Sequence, residues 1–145
     1  MNDTNPESEI IDCDADPFVY EGMSVYSHKK TGKTAWKDLN PVLWQWDQQK
    51  VDDGISGHLL ARELASKPVL NANVLWFLVK NQELIPEEWQ EKNYVCFWGT
   101  VYLNGTHGLY VETLHYGERG WDVVPRELDE MFDIYEYAVL GSSGT

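Results

Sequence analysis

The spacing of apolar residues predicts a helix followed by a β-meander in the middle of the chain. Large apolar residues run from Val74 to Val79, behind Asn71 and Asn73, either of which is suited to capping a helix, and they fade into polar residues before Pro86. A run this short fits a buried strand as well as a helix. The polar end and the proline stop favour a helix over residues 71–80. Pro86 then fits the first position of a second short turn.

From Tyr94 onward the period changes to two residues, which is typical of β-strands. Both faces of the first segment are apolar or aromatic, so we expect a central strand with both sides covered. Asn104 and Gly105 predict a hairpin after it, and Pro125 is expected to stop the last strand. The three predicted strands span residues 94–103, 109–116 and 121–124.

The N-terminal half predicts shorter elements. Two strand pieces and an exposed basic turn are expected at residues 18–20, 23–26 and 27–34. Asn40 and Pro41 are a typical pair for the start of a helix, so we assign residues 42–46 to a helix, although this segment also alternates between polar and apolar residues.

Two further helices are expected outside the meander. Ser56 is predicted to cap a helix over residues 57–66 that Pro68 ends. The side chains that this helix is expected to bury are Leu59, Leu60 and Leu64. Near the C-terminus, apolar residues at helical spacing predict a short helix over 128–135 that runs into a strand over 135–140.

These elements predict an α+β fold in which an antiparallel β-meander packs against two or three short helices. We place this single domain at residues 17–140. The acidic segment 1–16, with few large apolar groups, is predicted to be a flexible tail, and the Gly-Ser-Ser-Gly-Thr sequence at 141–145 a flexible C-terminus.

Two short motifs, Leu84-Ile-Pro-Glu-Glu-Trp89 and Phe97-Trp-Gly-Thr-Val-Tyr102, resemble a pattern that recurs in an uncharacterised family of small bacterial proteins. The resemblance stops before the Val-Val-Pro segment that ends at Pro125. It implies no activity, cofactor or partner. It implies only that the turn after Pro86 and the first meander strand belong to one structural unit.

The composition fits one domain with a substantial core. The chain has 145 residues, of which 43% are hydrophobic, and it holds seven Trp and eight Tyr, which argues against global disorder. No apolar run approaches the length of a membrane span, and the N-terminus lacks the basic and apolar regions of a signal peptide. We therefore expect a cytoplasmic protein. Cys13 lies in the acidic tail and Cys96 in a core strand, so no disulfide is expected.

The formal net charge of −13 is concentrated at the two ends of the chain. Residues 1–21 hold seven carboxylates and no Lys or Arg, and residues 118–136 hold seven carboxylates against two Arg. Residues 22–117 are nearly balanced, with ten carboxylates against nine basic residues. Such a protein repels nucleic acid, so direct nucleic-acid binding is disfavoured and a protein partner with a basic surface is expected.

The motifs that would signal a cofactor or a metal are incomplete. A Gly-Lys-Thr sequence ending at Thr34 looks like part of a phosphate-binding loop, but the glycine required five residues earlier is replaced by Ser27. The four His are scattered, and His107 and His115 would lie about 26 Å apart along a strand, too far to share a metal. We therefore expect no metal, no cofactor and no catalytic constellation.

Carboxylates and aromatic residues at the edge of the core remain as candidates for binding. The acidic side chains of residues 129–136 would share one face of the predicted C-terminal helix, where they either meet a basic groove or simply remain solvated. Trp89 and Trp121 lie near polar residues, a position that suits an interface anchor and also the rim of a core. The predicted binding residues are Glu87, Glu88, Trp89, Trp121, Asp129, Glu130, Asp133 and Glu136.

These features predict a non-enzymatic interaction protein, and in a sharper form an inhibitor that covers the nucleic-acid-binding surface of its partner. An immunity- or antitoxin-like neutraliser of a basic toxin depends on the same physics. The alternative from another class is a small-ligand-binding protein or enzyme with a pocket in the aromatic meander, where acid–base chemistry would need a desolvated carboxylate. The predicted pocket residues are Tyr102, Tyr110, Glu112, His115 and Trp121.

Overall fold

The computed structural model of this chain describes residues 5–105 and 108–141. Parts of three predicted segments lie outside the described residues. These are residues 1–4 of the tail, Thr106 and His107 of the hairpin loop, and residues 142–145 of the C-terminus. The described residues form a single α+β domain, as the sequence predicts.

The part of the chain that the structure describes contains three α-helices and eleven strands. The helices are α1 (Trp36–Leu39), α2 (Gly57–Leu64) and α3 (Ala72–Lys80). The strands are β1 (Ile10–Asp12), β2 (Met23–His28), β3 (Lys33–Ala35), β4 (Val42–Trp44), β5 (Ile55–Ser56), β6 (Tyr94–Cys96), β7 (Thr100–Asn104), β8 (Gly108–Gly117), β9 (Gly120–Glu127), β10 (Met131–Phe132) and β11 (Glu136–Leu140). None of the helices in these residues is long and apolar enough to cross a membrane.

Seven of the strands form one sheet around the long strand β8. β9 pairs with one edge of β8, and β6 and β7 lie one after the other along the other edge. β2 extends the sheet beyond β7, while β11 and then β4 extend it beyond β6. Every pair is antiparallel except β6 with β11, so the predicted meander lies within a mixed sheet. Two small ribbons, β1 with β3 and β5 with β10, flank it.

The sheet is covered on both faces, because successive residues of its strands point into two different cores. One core combines side chains of α3 with Val95, Leu114 and Val139. The other combines side chains of α2 with Cys96, Val111 and Ala138. The prediction that the first meander strand is covered on both sides is therefore confirmed for β6.

The predicted strand over residues 94–103 is interrupted in its middle. Five residues separate Cys96 from Tyr102, whereas only two separate their β8 partners Thr113 and Tyr110. The three extra residues bulge out of the ladder around Gly99, which reaches the segment that precedes α3. The Gly99 N–H donates to the Leu70 carbonyl (2.9 Å), so the interruption ties the sheet to the start of the helix.

Of the two caps that the sequence offers for α3, the structure uses Asn71. Asn71 precedes the helix, and its side-chain oxygen accepts the Asn73 N–H (3.0 Å). The second predicted cap is also present, since the Ser56 hydroxyl accepts the His58 N–H at the start of α2 (3.1 Å). Leu60 and Leu64 of α2 are buried, but Leu59 is 44% exposed, so its predicted burial is wrong. Pro86 takes the N-cap of a 3₁₀ turn over Glu87–Glu91 rather than its first position.

Two predicted helices are strands instead. Asn40 adopts a left-handed conformation (φ 47°) and caps the C-terminal end of α1, so it starts no helix, and Val42–Trp44 pairs with β11 as an edge strand. The predicted helix over 128–135 is absent because β10 pairs with β5 and the Glu130 carbonyl accepts the N–H of Gly57. These long-range hydrogen bonds take the place of the bonds that a local helix would form. The strand predicted over residues 135–140 is confirmed as β11.

Two boundaries also differ from the prediction. The segment predicted as a flexible tail contains β1, which pairs with β3, and Ile11 and Cys13 are buried. The prediction of a flexible tail is therefore wrong for residues 10–13. Pro125 does not end β9, which continues to Glu127, because β9 is an edge strand and has a partner on one side only.

The close approach at Gly99 generates a stability prediction. A Cβ at this position would lie 2.7 Å from Asn71 Cα, a backbone atom that has no room to move. Gly99→Ala should therefore lower the free energy of unfolding by about 2 kcal/mol through overpacking. Gly117→Ala is the matched control, since the nearest atom to its Cβ would be 4.0 Å away. Urea unfolding of both variants measures the difference, and equal effects would contradict the close approach.

Candidate functional site

The predicted binding residues of the segment after Pro86 have different surroundings. Glu87 and Glu88 are exposed on the 3₁₀ turn. Trp89, in the same turn, is only 3% exposed, and its ring packs edge-on against Trp36 with the ring centroids 6.3 Å apart. Trp89 therefore belongs to the core, where it cannot anchor a partner. Trp121, on β9, is half-buried, and its ring lies beside the ring of Tyr116 on β8, with the ring centroids 5.0 Å apart.

The four predicted carboxylates near the C-terminus do not share a helical face, because no helix forms there. All four contact groups of the protein itself, and three of them lie at or near the surface. Asp129 lies 2.7 Å from His58 Nε2, Glu130 accepts a bond from Arg126 (2.6 Å), and Asp133 accepts the Tyr135 N–H (2.9 Å). The fourth, Glu136, is buried. These carboxylates therefore stabilise the turns around β10 instead of presenting one acidic surface.

Glu136 forms a buried ion pair with Arg126. The guanidinium donates to its carboxylate (2.8 Å) and lies over the rings of Tyr94 and Phe132. The Asp133 N–H donates to the other carboxylate oxygen (2.7 Å). Burial raises the pKa of Glu136, while Arg126 and the Asp133 N–H act against that rise. The role of this pair is to hold β9 against β11, which is a structural role.

Removal of the guanidinium should reveal that role. Arg126→Met keeps the apolar contacts with the two rings but leaves Glu136 buried without its cation, which should cost about 3 kcal/mol of unfolding free energy. Arg119→Met, in the exposed turn between β8 and β9, is the control and should change little. Urea unfolding near neutral pH compares the two, and an Arg126→Met protein as stable as the control would contradict a structural ion pair.

Residues 9–21, called here the acidic–aromatic strip, form a surface that combines acidic and aromatic groups. Its exposed carboxylates belong to Glu9, Asp12, Asp14, Asp16 and Glu21. Its exposed aromatic rings are Phe18 (53% exposed) and Tyr20 (42% exposed). These two rings contact each other edge-on, with centroids 4.9 Å apart, and both contact Trp76 of α3.

The strip is fixed to the body of the protein by hydrogen bonds to its backbone. The Asn73 side chain donates to the carbonyls of Asp12 (3.0 Å) and Ala15 (2.9 Å). The Tyr102 hydroxyl donates to the Phe18 carbonyl (2.8 Å). The strip therefore holds its carboxylates and rings in place before any partner arrives. The prediction of a flexible tail over residues 1–16 missed the first part of this surface, although Ile10 and Ile11 were a signal of packing, and the strand predicted over residues 18–20 is irregular backbone instead.

The structure brings three of the five predicted pocket residues together. Tyr102 and Tyr110 face each other on β7 and β8 and stack with their centroids 5.3 Å apart, and Glu112 follows on the same face of β8. His115 points to the opposite face, since it is an odd number of residues from Glu112, and it stacks on Tyr94. Trp121 opposes Tyr116, about 13 Å further along the strand.

A cleft of about 290 Å³ opens beside these residues and is called here the Glu112 cleft. Its lining residues are Tyr20, Met23, Asn104, Tyr110, Glu112, Val123, Pro125, Glu127 and Glu130. Glu112 is only 2% exposed, and burial raises the pKa of its carboxyl group to about 7. Burial, followed by the nearby Glu112, raises the pKa of Tyr110 to about 12. No hydrogen bond or ion pair within residues 5–105 and 108–141 reaches the Glu112 carboxylate.

A larger groove of about 460 Å³ lies on the other face, between α2 and β2. Several of its polar groups are already bonded within the protein. His28 lies 2.8 Å from the Thr100 hydroxyl and donates to the Cys13 carbonyl (3.1 Å), and the Lys29 ammonium donates to the Lys67 carbonyl (2.6 Å). These polar groups of the groove thus have partners within the protein, whereas the Glu112 carboxylate has none among the described residues.

Comparison with protein-family models, with curated proteins and with solved structures finds no match to this chain. The described residues contain no group of three or more His, Cys, Asp or Glu side chains placed to hold a metal ion. His107 lies outside these residues. The candidate sites are therefore the acidic–aromatic strip and the Glu112 cleft, each defined by its own geometry.

The buried carboxyl of Glu112 should make stability depend on pH. Its ordinary pKa is 4.5, and the folded value is about 7, so between these values the native protein holds a proton that the unfolded chain releases. Stability therefore falls as the pH rises through this window. Glu112→Gln removes the effect, and its unfolding free energy relative to wild type should rise by about 2 kcal/mol from pH 5 to pH 8.

Glu118→Gln, in the exposed turn between β8 and β9, is the control for this measurement. The comparison with wild type also cancels the contribution of Glu136, which titrates in both proteins. Urea unfolding at several pH values gives the two curves. Parallel curves for wild type and Glu112→Gln would show that the Glu112 carboxyl is not desolvated.

Proposed function

We propose that this protein is a non-enzymatic interaction protein that binds a partner protein with a basic surface through the acidic–aromatic strip. The observation that carries the proposal is the strip itself: five exposed carboxylates beside two exposed aromatic rings, on a backbone that hydrogen bonds hold to α3 and β7. Lys33, opposite Asp12 in β3, is the cross-strand basic neighbour of these carboxylates.

The charge and the rings support different parts of this function. A net charge of −13 attracts a basic partner over a distance and raises the association rate. Aromatic rings that become buried on binding supply most of the affinity at typical interfaces. Because the strip is already ordered, little conformational entropy is lost on association.

The sharper form of the proposal is an inhibitor that covers a nucleic-acid-binding surface of its partner. An immunity- or antitoxin-like neutraliser of a basic toxin uses the same surface, and the identity of the bound protein separates the two. The proposed place of action is the cytoplasm. Cys13 and Cys96 support this place, because both are free thiols in the structure, as is usual in a reducing compartment.

Neutralisation of the strip should weaken partner binding. In the triple variant Glu9→Gln, Asp16→Asn and Glu21→Gln, three exposed carboxylates lose their charge while the side chains keep their size. At about 0.5 kcal/mol for each exposed charge contact, the affinity should fall about tenfold. Affinity capture from the host lysate with the tagged full chain identifies the partner, and calorimetry with the purified partner measures the loss at low and at physiological salt.

The control is a second neutralised variant, Asp47→Asn with Asp53→Asn, next to the opposite edge of the sheet beyond β4. It should bind the partner nearly as wild type does. Phe18→Ala should speed dissociation, since it removes an aromatic anchor without changing charge. Equal affinity of wild type and the triple variant, or binding that is insensitive to salt, would contradict the proposal.

The second candidate function is that of a small-ligand-binding protein or an enzyme, and the observation that favours it is Glu112. A carboxyl group with a pKa of about 7 is suited to accept and donate protons near neutral pH. It lines a cleft together with two tyrosines, and buried titratable groups in clefts are frequent at functional sites.

A further inference from the structure

We propose that the Glu112 cleft is a binding site for a primary alkylammonium group, held by the Glu112 carboxylate between the rings of Tyr20 and Tyr110. The inference gives a ligand class to the second candidate function and rests on it, since the cleft must first bind a ligand. It does not need the protein partner proposed for the acidic–aromatic strip.

The first argument is the missing partner of Glu112. The side chain is 98% buried, yet no donor among the described residues reaches its carboxylate. The other buried carboxylate, Glu136, has Arg126 and a backbone N–H beside it. A buried carboxylate without a cation is costly, so a cation that enters the cleft would stabilise the ionised form of Glu112.

The second argument is the chemistry of the walls. Tyr20 and Tyr110 line the cleft, and an ammonium group over the face of a tyrosine ring gains cation–π attraction. Met23, Val123 and Pro125 provide apolar surface for the methylene chain that carries the ammonium. Glu127 adds negative charge at the exposed rim, where Glu130 is already paired with Arg126. No Lys or Arg is found among the described residues that line the cleft.

The third argument excludes a metal ion as the missing cation. Hard cations such as Ca²⁺ need six or more oxygen ligands around one point. The described residues, which include Glu112, Glu127 and Glu130, hold no group of three side chains placed in this way. An ammonium group has only three N–H donors, so the two oxygens of one carboxylate, a tyrosine ring and the water at the open side of the cleft are sufficient for it.

Binding should therefore depend on pH. An ammonium ion needs the ionised form of Glu112, whose pKa without ligand is about 7. The titratable groups that face Glu112 are Tyr20, Tyr102 and Tyr110 from within the fold, and Glu127 and Glu130 at the rim. Burial raises the pKa of each tyrosine, so these three stay neutral from pH 5 to pH 8. The affinity should be roughly 30-fold lower near pH 5.5 than near pH 8, in proportion to the ionised fraction of Glu112.

Isothermal titration of the full chain tests the inference with two pairs of probes. The first pair is n-butylammonium and the neutral n-butanol, and the second is the blocked tripeptide Gly-Lys-Gly and its norleucine analogue. Only the two ammonium probes should bind. Binding of n-butylammonium alone would identify a free amine as the ligand, whereas binding of both would add a lysine side chain of a protein as a source.

Two variants connect the binding to Glu112. Glu112→Gln keeps the shape of the side chain and should weaken n-butylammonium binding at pH 8 at least about tenfold, since it removes a charge-assisted hydrogen bond. Glu118→Gln should leave it unchanged. Pro125→Lys places an ammonium directly opposite Glu112 on the edge strand β9, so it should block the probe and raise the thermal stability at pH 8.

Three results would overturn the inference. They are no binding of either ammonium probe at pH 8, equal affinity of wild type and a folded Glu112→Gln protein, and unchanged probe binding by Pro125→Lys. Each leaves the protein partner of the acidic–aromatic strip unaffected, because that interaction is measured separately with the triple variant. If the ammonium probes bind but affinity capture yields no basic partner protein, the proposed protein interaction is refuted and the cleft remains as the site of function.

Discussion

The structure depends most on the contact between Asn71 and the interruption of the meander at Gly99. Asn71 is completely buried, caps α3, and donates from its amide to the carbonyls of Cys13 and Lys29 (both 3.0 Å). The backbone of Gly99 lies directly against it, and the Thr100 hydroxyl accepts the N–H of Ala72 (2.9 Å). One amide side chain thus joins the helix, the sheet and the N-terminal segment, because buried backbone groups must find partners.

The acidic–aromatic strip owes its order to this contact. Asn71 and Asn73 together bond three carbonyls of residues 12–15, which fixes the backbone between the exposed carboxylates. Tyr20 then links the strip to the Glu112 cleft, since its ring packs on Phe18 and Trp76 and also lines the cleft. The two candidate sites are therefore neighbours that share one aromatic ring, although they differ in chemistry: solvated charges on one side and a single desolvated carboxyl on the other.

Glu112 and Glu136 show how burial and partners decide the role of a carboxylate. Both are almost inaccessible to water, and burial raises the pKa of both. Arg126 and the Asp133 N–H compensate Glu136, so its charge serves to join β9 to β11. Glu112 has no compensating group among the described residues, and it faces a cleft instead of a neighbouring strand. A destabilising group in such a place is typical of a functional site.

The elements that rest on local physics could be predicted from neighbouring residues: the capped helix α3, the capped helix α2, the hairpin strands of the meander and the overall α+β class. Periodicity and capping act within one turn or one strand, so they can be read from neighbouring residues. Long-range contacts, in contrast, make residues 42–44 and 131–132 strands, order residues 10–13, and place Trp89 and Glu136 in the interior. These outcomes depend on partners far along the chain, such as β11 for β4 and Arg126 for Glu136. The prediction named Tyr102, Tyr110 and Glu112 correctly as neighbours because alternation puts Tyr110 and Glu112 on one face of a strand. The same alternation puts His115 on the opposite face, so the prediction misplaced it. Trp121 was misplaced because its distance along the sheet follows from the register of β9 with β8.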